Sequence, residues 1–203
     1  MSARLFPDDV LFFQRLLKSE GLYTKELDGI WGPFTEKAAD DFEKLSDLLQ
    51  EEIMGFDFRT EQNIRTLSLA AQKQARLFMK RVLAAGIKAR IISGSRTYAQ
   101  QNKLFRQGRY GNPGPVVTYA RGGRSNHNFG IAWDIGIFTE AGGYITKGLS
   151  YDQAAEAGMS EELEWGGDWT GFVDKPHFQL KLGITLAMLR QKFENGEELT
   201  LLA

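Results

Sequence analysis

The chain has 203 residues, of which 42% are hydrophobic and 25% are charged, and its formal net charge is −1. These values are typical of a globular protein of one or two domains, and no apolar run approaches the roughly 18 residues that cross a bilayer, so we expect no membrane insertion. Cysteine is absent from the sequence, which excludes disulfides, thiol nucleophiles and cysteine zinc sites and leaves His127 and His177 as the only imidazoles.

Two helices are predicted in the first fifty residues. The first follows Asp8, a potential N-cap, and ends at Gly21; its apolar residues at helical spacing are Val10, Phe13, Leu16 and Leu17. Pro33 suits the first position of a second helix, because a helix leaves the N–H at that position without an internal partner. We interpret residues 51–59 as a linker.

The remaining chain mixes helices with short strands. We predict a long amphipathic helix over residues 64–82 that ends at Gly86, and a helix from Thr97 that starts with a capping box and runs to Gln107. The other predicted elements are strands over 89–93, 131–138 and 177–180, a Gly/Pro-rich loop over 108–123 and a closing helix over 184–193. Because no regular βαβ repeat appears, the pattern favours an α+β fold over a doubly wound sheet.

Charge is distributed unevenly along the chain. Residues 1–52 carry 12 acidic and 6 basic residues, whereas residues 62–133 contain 13 basic residues and no acid, and residues 134–174 contain nine acids and one lysine. The acid-free segment favours an anionic ligand such as a nucleic acid, a phosphate polymer or a carboxylate-rich peptide. The alternative is that the oppositely charged segments neutralise each other across the folded surface.

The two histidines lie next to carboxylates. His127 precedes a predicted strand that contains Asp134, and Asp174 comes three residues before His177. A hydrolytic zinc site needs three protein ligands and an open position for water, and His127, Asp134 and His177 form such a set. Asp174 then remains as a base for the water, although a histidine is more often a packed or surface residue than a ligand.

Residues 125–134, with the sequence SNHNFGIAWD, fit the zinc motif S-x-H-x-x-G-x-A-x-D and resemble the D-alanyl-D-alanine-type peptidoglycan metallopeptidases. Pro176-His177 resembles the site of their third ligand. Residues 93–101, 104–109 and 117–123 are similar to the L-alanyl-D-glutamate endopeptidase branch, which includes phage endolysins and bacterial autolysins.

This resemblance implies a catalytic domain over residues 53–203, with a small antiparallel sheet flanked by helices and one zinc ion per chain. It implies His127, Asp134 and His177 as metal ligands and Asp174 as catalytic base. It also places the arginine of the S-G-x-R segment at Arg96, as a second catalytic residue, and a tryptophan-rich segment before the last ligand. Candidate substrate-binding residues are Ser125, Trp165 and Trp169.

Several of these residues have structural alternatives. Arg96 could form an ion pair that stabilises the fold, and Trp165 and Trp169 could belong to the core. Ser125 is not expected to be a nucleophile, because its motif assigns the neighbouring histidine to the metal; a hydrogen bond to substrate or loop suits it better.

Residues 1–52 resemble the small helical peptidoglycan-binding module with the signature D-G-x-x-G-P-x-T, found here as Asp28 to Thr35. The sequence departs from that module at Glu43, where glutamine is usual. The resemblance implies a helical wall-binding module that precedes the catalytic domain. The alternative is that this unit of about 43 residues, near the lower limit for independent folding, is a brace.

The expected function is hydrolysis of the L-alanyl-D-glutamate bond of peptidoglycan. Alternatives are D,D-carboxypeptidase or dipeptidase action at the stem terminus, a non-catalytic zinc-stabilised wall-binding protein, and a nucleic-acid binder, which the total charge disfavours. We expect a monomer whose partner is peptidoglycan and not nucleic acid. It would act on the cell wall, in the periplasm or outside the cell. The first residues show no recognisable signal peptide, which leaves the export route and the choice between phage lysin, autolysin and delivered toxin open.

Overall fold

The structure is a computed structural model that describes residues 7–145 and 150–199. It contains two compact units: the first comprises residues 7–44, 96–129 and 183–199, and the second comprises residues 45–95 and 130–182. Each unit takes segments from both sides of residue 52, so the division into domains 1–52 and 53–203 stays a prediction.

Helices and one short 3-10 turn make up the regular structure of the first unit. Its elements are α1 (Pro7–Ser19), the first part of α2 (Pro33–Glu52), α5 (Tyr98–Arg106), a 3-10 turn (Asn126–Phe129) and α7 (Leu186–Asn195). α1 contacts α5 and α7, with the rings of Phe12 and Phe193 5.5 Å apart. Phe193 also lies 5.6 Å from Phe129. The aromatic core of this unit is therefore shared between its N-terminal and C-terminal segments.

Local signals set the ends of these helices. Pro33 opens α2, and Thr97 and Gln100 form the predicted capping box of α5. The prediction of Asp8 as an N-cap is wrong, because α1 begins at Pro7. Asp8 lies in the first turn instead, where a negative charge interacts favourably with the helix dipole.

A buried glutamine shapes the turn between α1 and α2. Gln14 donates to Asp28 Oδ1 at 2.7 Å and to the Tyr23 hydroxyl at 3.2 Å, and its Oε1 accepts from Gly29 N at 2.8 Å. The hydrogen bond from Gln14 holds the pKa of Asp28 below its usual value. Gly29 has a φ of +69°, which favours glycine.

The second unit is an antiparallel sheet packed against helices, which confirms the predicted α+β class. The strand order is β1-β2-β5-β4, and β3 pairs with β2. The strands are β1 (Ala89–Ser93), β2 (Ala132–Phe138), β3 (Tyr144–Ile145), β4 (Leu163–Trp165) and β5 (His177–Leu180), and the helices are α3 (Phe58–Ile64), α4 (Leu69–Ala84) and α6 (Ser150–Gly158). Phe78 of α4 lies 4.3 Å from Phe178 and 6.2 Å from Trp133, so the core sits between α4 and the sheet.

The single helix predicted over residues 64–82 is wrong in one respect: the segment contains the end of α3 and most of α4. Thr66 Oγ1 donates to Asn63 O at 2.7 Å, and Ser68 caps α4 by accepting from Ala71 N. These side chains compete with helical backbone bonds and turn the chain between the two helices. The buried Arg76 of α4 connects the two helices, because each of its terminal nitrogens donates a hydrogen bond to the carboxylate of Glu61 in α3, at 2.8 Å.

The other boundaries differ less. The predicted linker is shortened, because α2 runs to Glu52 and α3 begins at Phe58 after the Asp57 N-cap. The closing helix starts two residues later than predicted, after its N-cap Thr185. β3, α6, β4 and a 3-10 turn (Gly166–Asp168) were not predicted. Among the described residues, none of the helices has the length and apolarity that crossing a membrane requires.

Candidate metal centre and active site

Asp134 and His177 face each other on paired strands. They are partners in the antiparallel register of β2 and β5, and Asp134 Oδ1 lies 3.2 Å from His177 Nδ1. Their side chains are only 17% and 6% exposed. The sheet therefore places a carboxylate and an imidazole side by side in a mostly buried position.

Two hydrogen bonds in series, from Glu164 through Gln179 to His177, determine the tautomer of His177. Gln179 Nε2 donates to Glu164 Oε2 at 2.8 Å, and Gln179 Oε1 lies 2.9 Å from His177 Nε2. A carboxylate accepts hydrogen bonds and does not donate them, so the amide nitrogen must face Glu164 and the amide oxygen must face the imidazole. In the neutral imidazole the proton of His177 is then on Nε2, so that the Nδ1 lone pair beside Asp134 would bind a metal.

Burial and charge act in opposite directions on His177. Burial lowers the pKa of the imidazole, but the hydrogen bond and charge of Asp134 outweigh it and leave the pKa above its ordinary value. Asp174 adds to this rise. The site thus favours a positive charge at the position that His177 and Asp134 share, and a bound cation competes with a proton there.

Asp174 is placed by a tight turn before β5. Its N–H donates to Gly166 O at 2.9 Å, and its carbonyl accepts from His177 N at 3.1 Å. A Cβ on Gly166 would lie 2.4 Å from Asp174 O and 3.1 Å from the His177 Cβ. Only glycine fits there without moving the turn, so the packing of Gly166 holds Asp174 next to the histidine.

The two predicted tryptophans have different surroundings. The ring of Trp169 lies 4.9 Å from the ring of His177. Trp165 donates its indole N–H to Lys175 O at 2.8 Å and stacks on Phe178 at 6.3 Å. Trp169 therefore borders the candidate ligand, whereas the contacts of Trp165 are with the fold.

His127 lies in the 3-10 turn before β2 and is buried. Its carbonyl accepts from Arg96 N at 2.9 Å, and Arg96 Nη2 lies 3.4 Å from its Nε2. Asn128, which the sequence analysis did not single out, donates to Arg96 O at 2.8 Å and accepts from Gly123 N at 3.0 Å. Ser125 accepts from Asn128 N through its carbonyl, at the start of the same turn.

Gln101 positions the Arg96 guanidinium. Its Oε1 accepts from Arg96 Nη1 at 3.2 Å, and its Nε2 donates to Ala120 O at 2.9 Å. Gln101 is fully buried. The sequence shows Gln101 only as one of two adjacent glutamines in α5, and its partners are not apparent from local spacing.

The three predicted ligands come together in the structure. His127, Asp134 and His177 each offer one ligand atom, and these atoms all lie within 4.8 Å of one another. Two imidazoles and one carboxylate are a donor set that catalytic zinc sites use, with a fourth position left for water or substrate. The residues present therefore fit a zinc ion.

Comparisons with known proteins agree with these residues. Residues 118–180, which include all three candidate ligands and Asp174, match the family described as D-alanyl-D-alanine carboxypeptidase. The chain is 37% identical over 105 residues to the peptidoglycan L-alanyl-D-glutamate endopeptidase CwlK of Bacillus subtilis (strain 168), a match that covers 47% of this chain and 62% of the relative. The sequence-based resemblance to such endopeptidases is confirmed.

A similarity to a solved structure is also found. The crystal structure of the Serratia marcescens L-Ala D-Glu endopeptidase ChiX matches with a TM-score of 0.48 and 28% identity, over 66% of this chain and 94% of that chain.

Proposed function

We propose that this protein is a zinc peptidase that hydrolyses the L-alanyl-D-glutamate bond of peptidoglycan stem peptides. The observation that carries the proposal is the His127, Asp134 and His177 ligand set, with a further carboxylate, Asp174, held in the turn before the last ligand. Similarity to CwlK, which is named for this activity, supports the choice of bond.

The proposed roles follow from the chemistry of each side chain. Zinc, when bound, supplies a Lewis acid for the scissile carbonyl and lowers the pKa of water to about 7. Asp174 takes a proton from the attacking water and returns it to the leaving amine. Arg96, fixed by Gln101, offers a permanent positive charge for the developing negative charge or for a substrate carboxylate.

Substrate contacts are proposed for three further residues. Trp169 borders His177 and would form one apolar wall of the site. Ser125 lies two residues before His127, where its hydroxyl would bond to substrate or loop. For Trp165 the hydrogen bond to Lys175 favours the core alternative over direct substrate contact.

A second candidate function is D,D-carboxypeptidase or dipeptidase action, which the description of the matching family favours. Muropeptides digested with the purified protein and analysed by mass spectrometry distinguish the two. New N-terminal D-glutamate supports the endopeptidase, whereas loss of terminal D-alanine supports the second candidate. Unchanged muropeptides in the presence of zinc would contradict both.

The N-terminal segment has two proposed roles. Ile30 and Phe34 are 66% and 61% exposed next to the turn that Gln14 shapes, as expected of a binding surface. Phe12, however, packs on Phe193, and Arg15 lies over the Tyr98 ring at 5.9 Å, as expected of a brace. Binding of intact sacculi by an Ile30→Ser, Phe34→Ser variant tests the first role: wild-type binding with unchanged thermal stability would contradict it.

We propose peptidoglycan as the partner, a monomeric state, and action on the cell wall in the periplasm or outside the cell.

A further inference from the structure

A cleft of about 530 Å³ opens beside Arg96 within the first unit. Its volume lies within the range of about 300 to 1,000 Å³ that is typical of small-ligand sites. Its lining residues are Arg96, Gln100, Lys103, Leu104, Gln107, Asn112 and Pro113. This set has two cations, three amides and no acid, so the cleft is suited to a ligand that carries negative charge.

One face of α5 and its C-cap form most of this cleft. Gln100, Lys103, Leu104 and Gln107 are spaced 3, 4 and 7 residues from the first, which places them on one side of the helix. Within the described part of the chain, no hydrogen bond or ion pair engages the Lys103 ammonium. Lys103 is therefore available to a ligand, whereas Arg96 is already oriented by Gln101.

One end of the cleft lies next to a candidate metal ligand. Arg96 Nη2 lies 3.4 Å from the candidate ligand His127, so the Arg96 end is the reactive end. From the Thr97 N-cap to Lys103 the helix rises about 9 Å at 1.5 Å per residue. Two or three residues of an extended peptide span that distance.

The proposed substrate carries its free carboxylates on one side of the scissile bond. L-alanine is joined to the glycan through an amide and offers none, whereas D-glutamate has a free α-carboxylate and the third residue of many stems, diaminopimelate, has another. Other stems have lysine at the third position, which presents only an ammonium. The free end of diaminopimelate carries its carboxylate beside an ammonium, whereas the lysine side chain ends in an ammonium alone. A positive side chain two residues beyond the reactive end would therefore favour diaminopimelate over lysine.

We propose that this cleft binds the stem peptide on the D-glutamate side of the bond and that Lys103 selects stems whose third residue carries a carboxylate. Arg96 would face the D-glutamate carboxylate, and Lys103 would face the carboxylate of diaminopimelate. This inference rests on the proposed function. It assigns a specificity role to a residue that the zinc chemistry does not use.

Arg106 provides a matched control for Lys103. Both are exposed cations in the last turn of α5, so their effects on the helix dipole are similar, but Arg106 does not line the cleft. The experiment compares wild type, Lys103→Gln, Lys103→Glu, Arg106→Gln and Arg106→Glu. Each full-length protein is loaded with zinc and assayed on three tetrapeptides that contain diaminopimelate, amidated diaminopimelate or lysine at the third position.

Wild type should cleave the diaminopimelate peptide with a kcat/KM about fivefold above that of the amidated peptide, as expected of one partly exposed ion pair. Lys103→Gln should remove this preference, and Lys103→Glu should shift it toward lysine peptides. The Arg106 variants should retain the wild-type preference, and all five proteins should have the same zinc content and melting temperature.

Two results separate the possible failures. If wild type cleaves all three peptides but the Lys103 variants keep the same preference, the cleft assignment is overturned and the proposed function stands. If none of the peptides is cleaved at the L-alanyl-D-glutamate bond, the proposed function itself fails. A Lys103→Gln effect of equal size on the diaminopimelate peptide and on the amidated diaminopimelate peptide also overturns the assignment.

Discussion

Strands hold Asp134 and His177, whereas turns and side-chain amides hold His127 and Arg96. Asp134 and His177 are register partners on β2 and β5, and their backbones are fixed by the sheet. One hydrogen bond joins the backbones of His127 and Arg96. Asn128 bonds to the Arg96 carbonyl, and Gln101 bonds to the Arg96 guanidinium. Substitution of Asp134 or His177 should therefore remove a ligand atom without moving the backbone that carries it. For His127 and Arg96, by contrast, loss of one supporting amide side chain should move the residue itself.

The largest effect is expected from removal of a metal ligand. His177→Ala and His127→Ala should each reduce zinc from one ion per chain to background and abolish hydrolysis, because two remaining ligands do not hold a catalytic zinc. Elemental analysis after dialysis, together with muropeptide cleavage, measures both. Full zinc occupancy in His177→Ala would show that the metal assignment is wrong.

Replacement of Asp174 should separate metal binding from catalysis. Asp174→Ala should keep zinc, because the aspartate lies outside the ligand set, and should lower kcat by about 10²-fold or more, as loss of a general base does. Asp168→Ala is the control, since Asp168 is an exposed acid in the neighbouring turn. If Asp174→Ala loses its zinc while Asp134→Ala keeps it, the two roles must be exchanged.

The side-chain network behind His177 should tune metal affinity. Gln179→Leu removes the acceptor that fixes the Nε2 tautomer and should weaken zinc binding by about 10- to 100-fold, as other changes behind metal ligands do. Competition with a chelator of known affinity measures this, and Lys181→Met, an exposed change just after β5, is the control. Equal zinc affinity in Gln179→Leu and wild type would rule out this role.

The smallest effect is expected at Arg96. Arg96→Lys keeps the charge but loses the planar fork, and we expect kcat/KM to fall by about 10-fold with zinc retained. Arg96→Ala should be worse, while Arg124→Lys, an exposed control in the same basic segment, should have no effect. A larger change in kcat than in KM would indicate stabilisation of the developing charge. Wild-type kinetics in both Arg96 variants would mean that the residue is structural.

The sequence predicted those parts of the fold that short-range chemistry determines. Pro33 opens α2, the box of Thr97 and Gln100 opens α5, and β1 has the predicted bounds. The break between α3 and α4 was missed because apolar spacing continued through it while Thr66 and Ser68 turned the backbone. The prediction relied on the helical spacing of apolar residues and gave too little weight to Thr66 and Ser68 as signals for a helix end and a new N-cap.

In the candidate site, too, the residues predicted from the sequence are those that local sequence identifies. The ligands and Asp174 were accessible from a motif and from the scarcity of histidine. Gln179 was not, because its partner Glu164 lies 15 residues away and meets it only through the register of β4 and β5. Gln101 was missed for a similar reason, since its bonds reach Ala120 in a loop without regular structure.

The contact between Trp169 and His177 gives the protein an optical signal of its own. The ring centroids lie 4.9 Å apart, within the roughly 6 Å over which a cation interacts with an aromatic ring, so the charge of the imidazole changes the surroundings of the indole. Because a bound metal displaces the proton, zinc titration should change the fluorescence of Trp169 without any added dye. The chain has four tryptophans, Trp31, Trp133, Trp165 and Trp169, so the part of the zinc-induced change that a Trp169→Phe variant loses is the signal of Trp169. Occupancy of the site could then be followed during wall digestion, in the same cuvette and in real time.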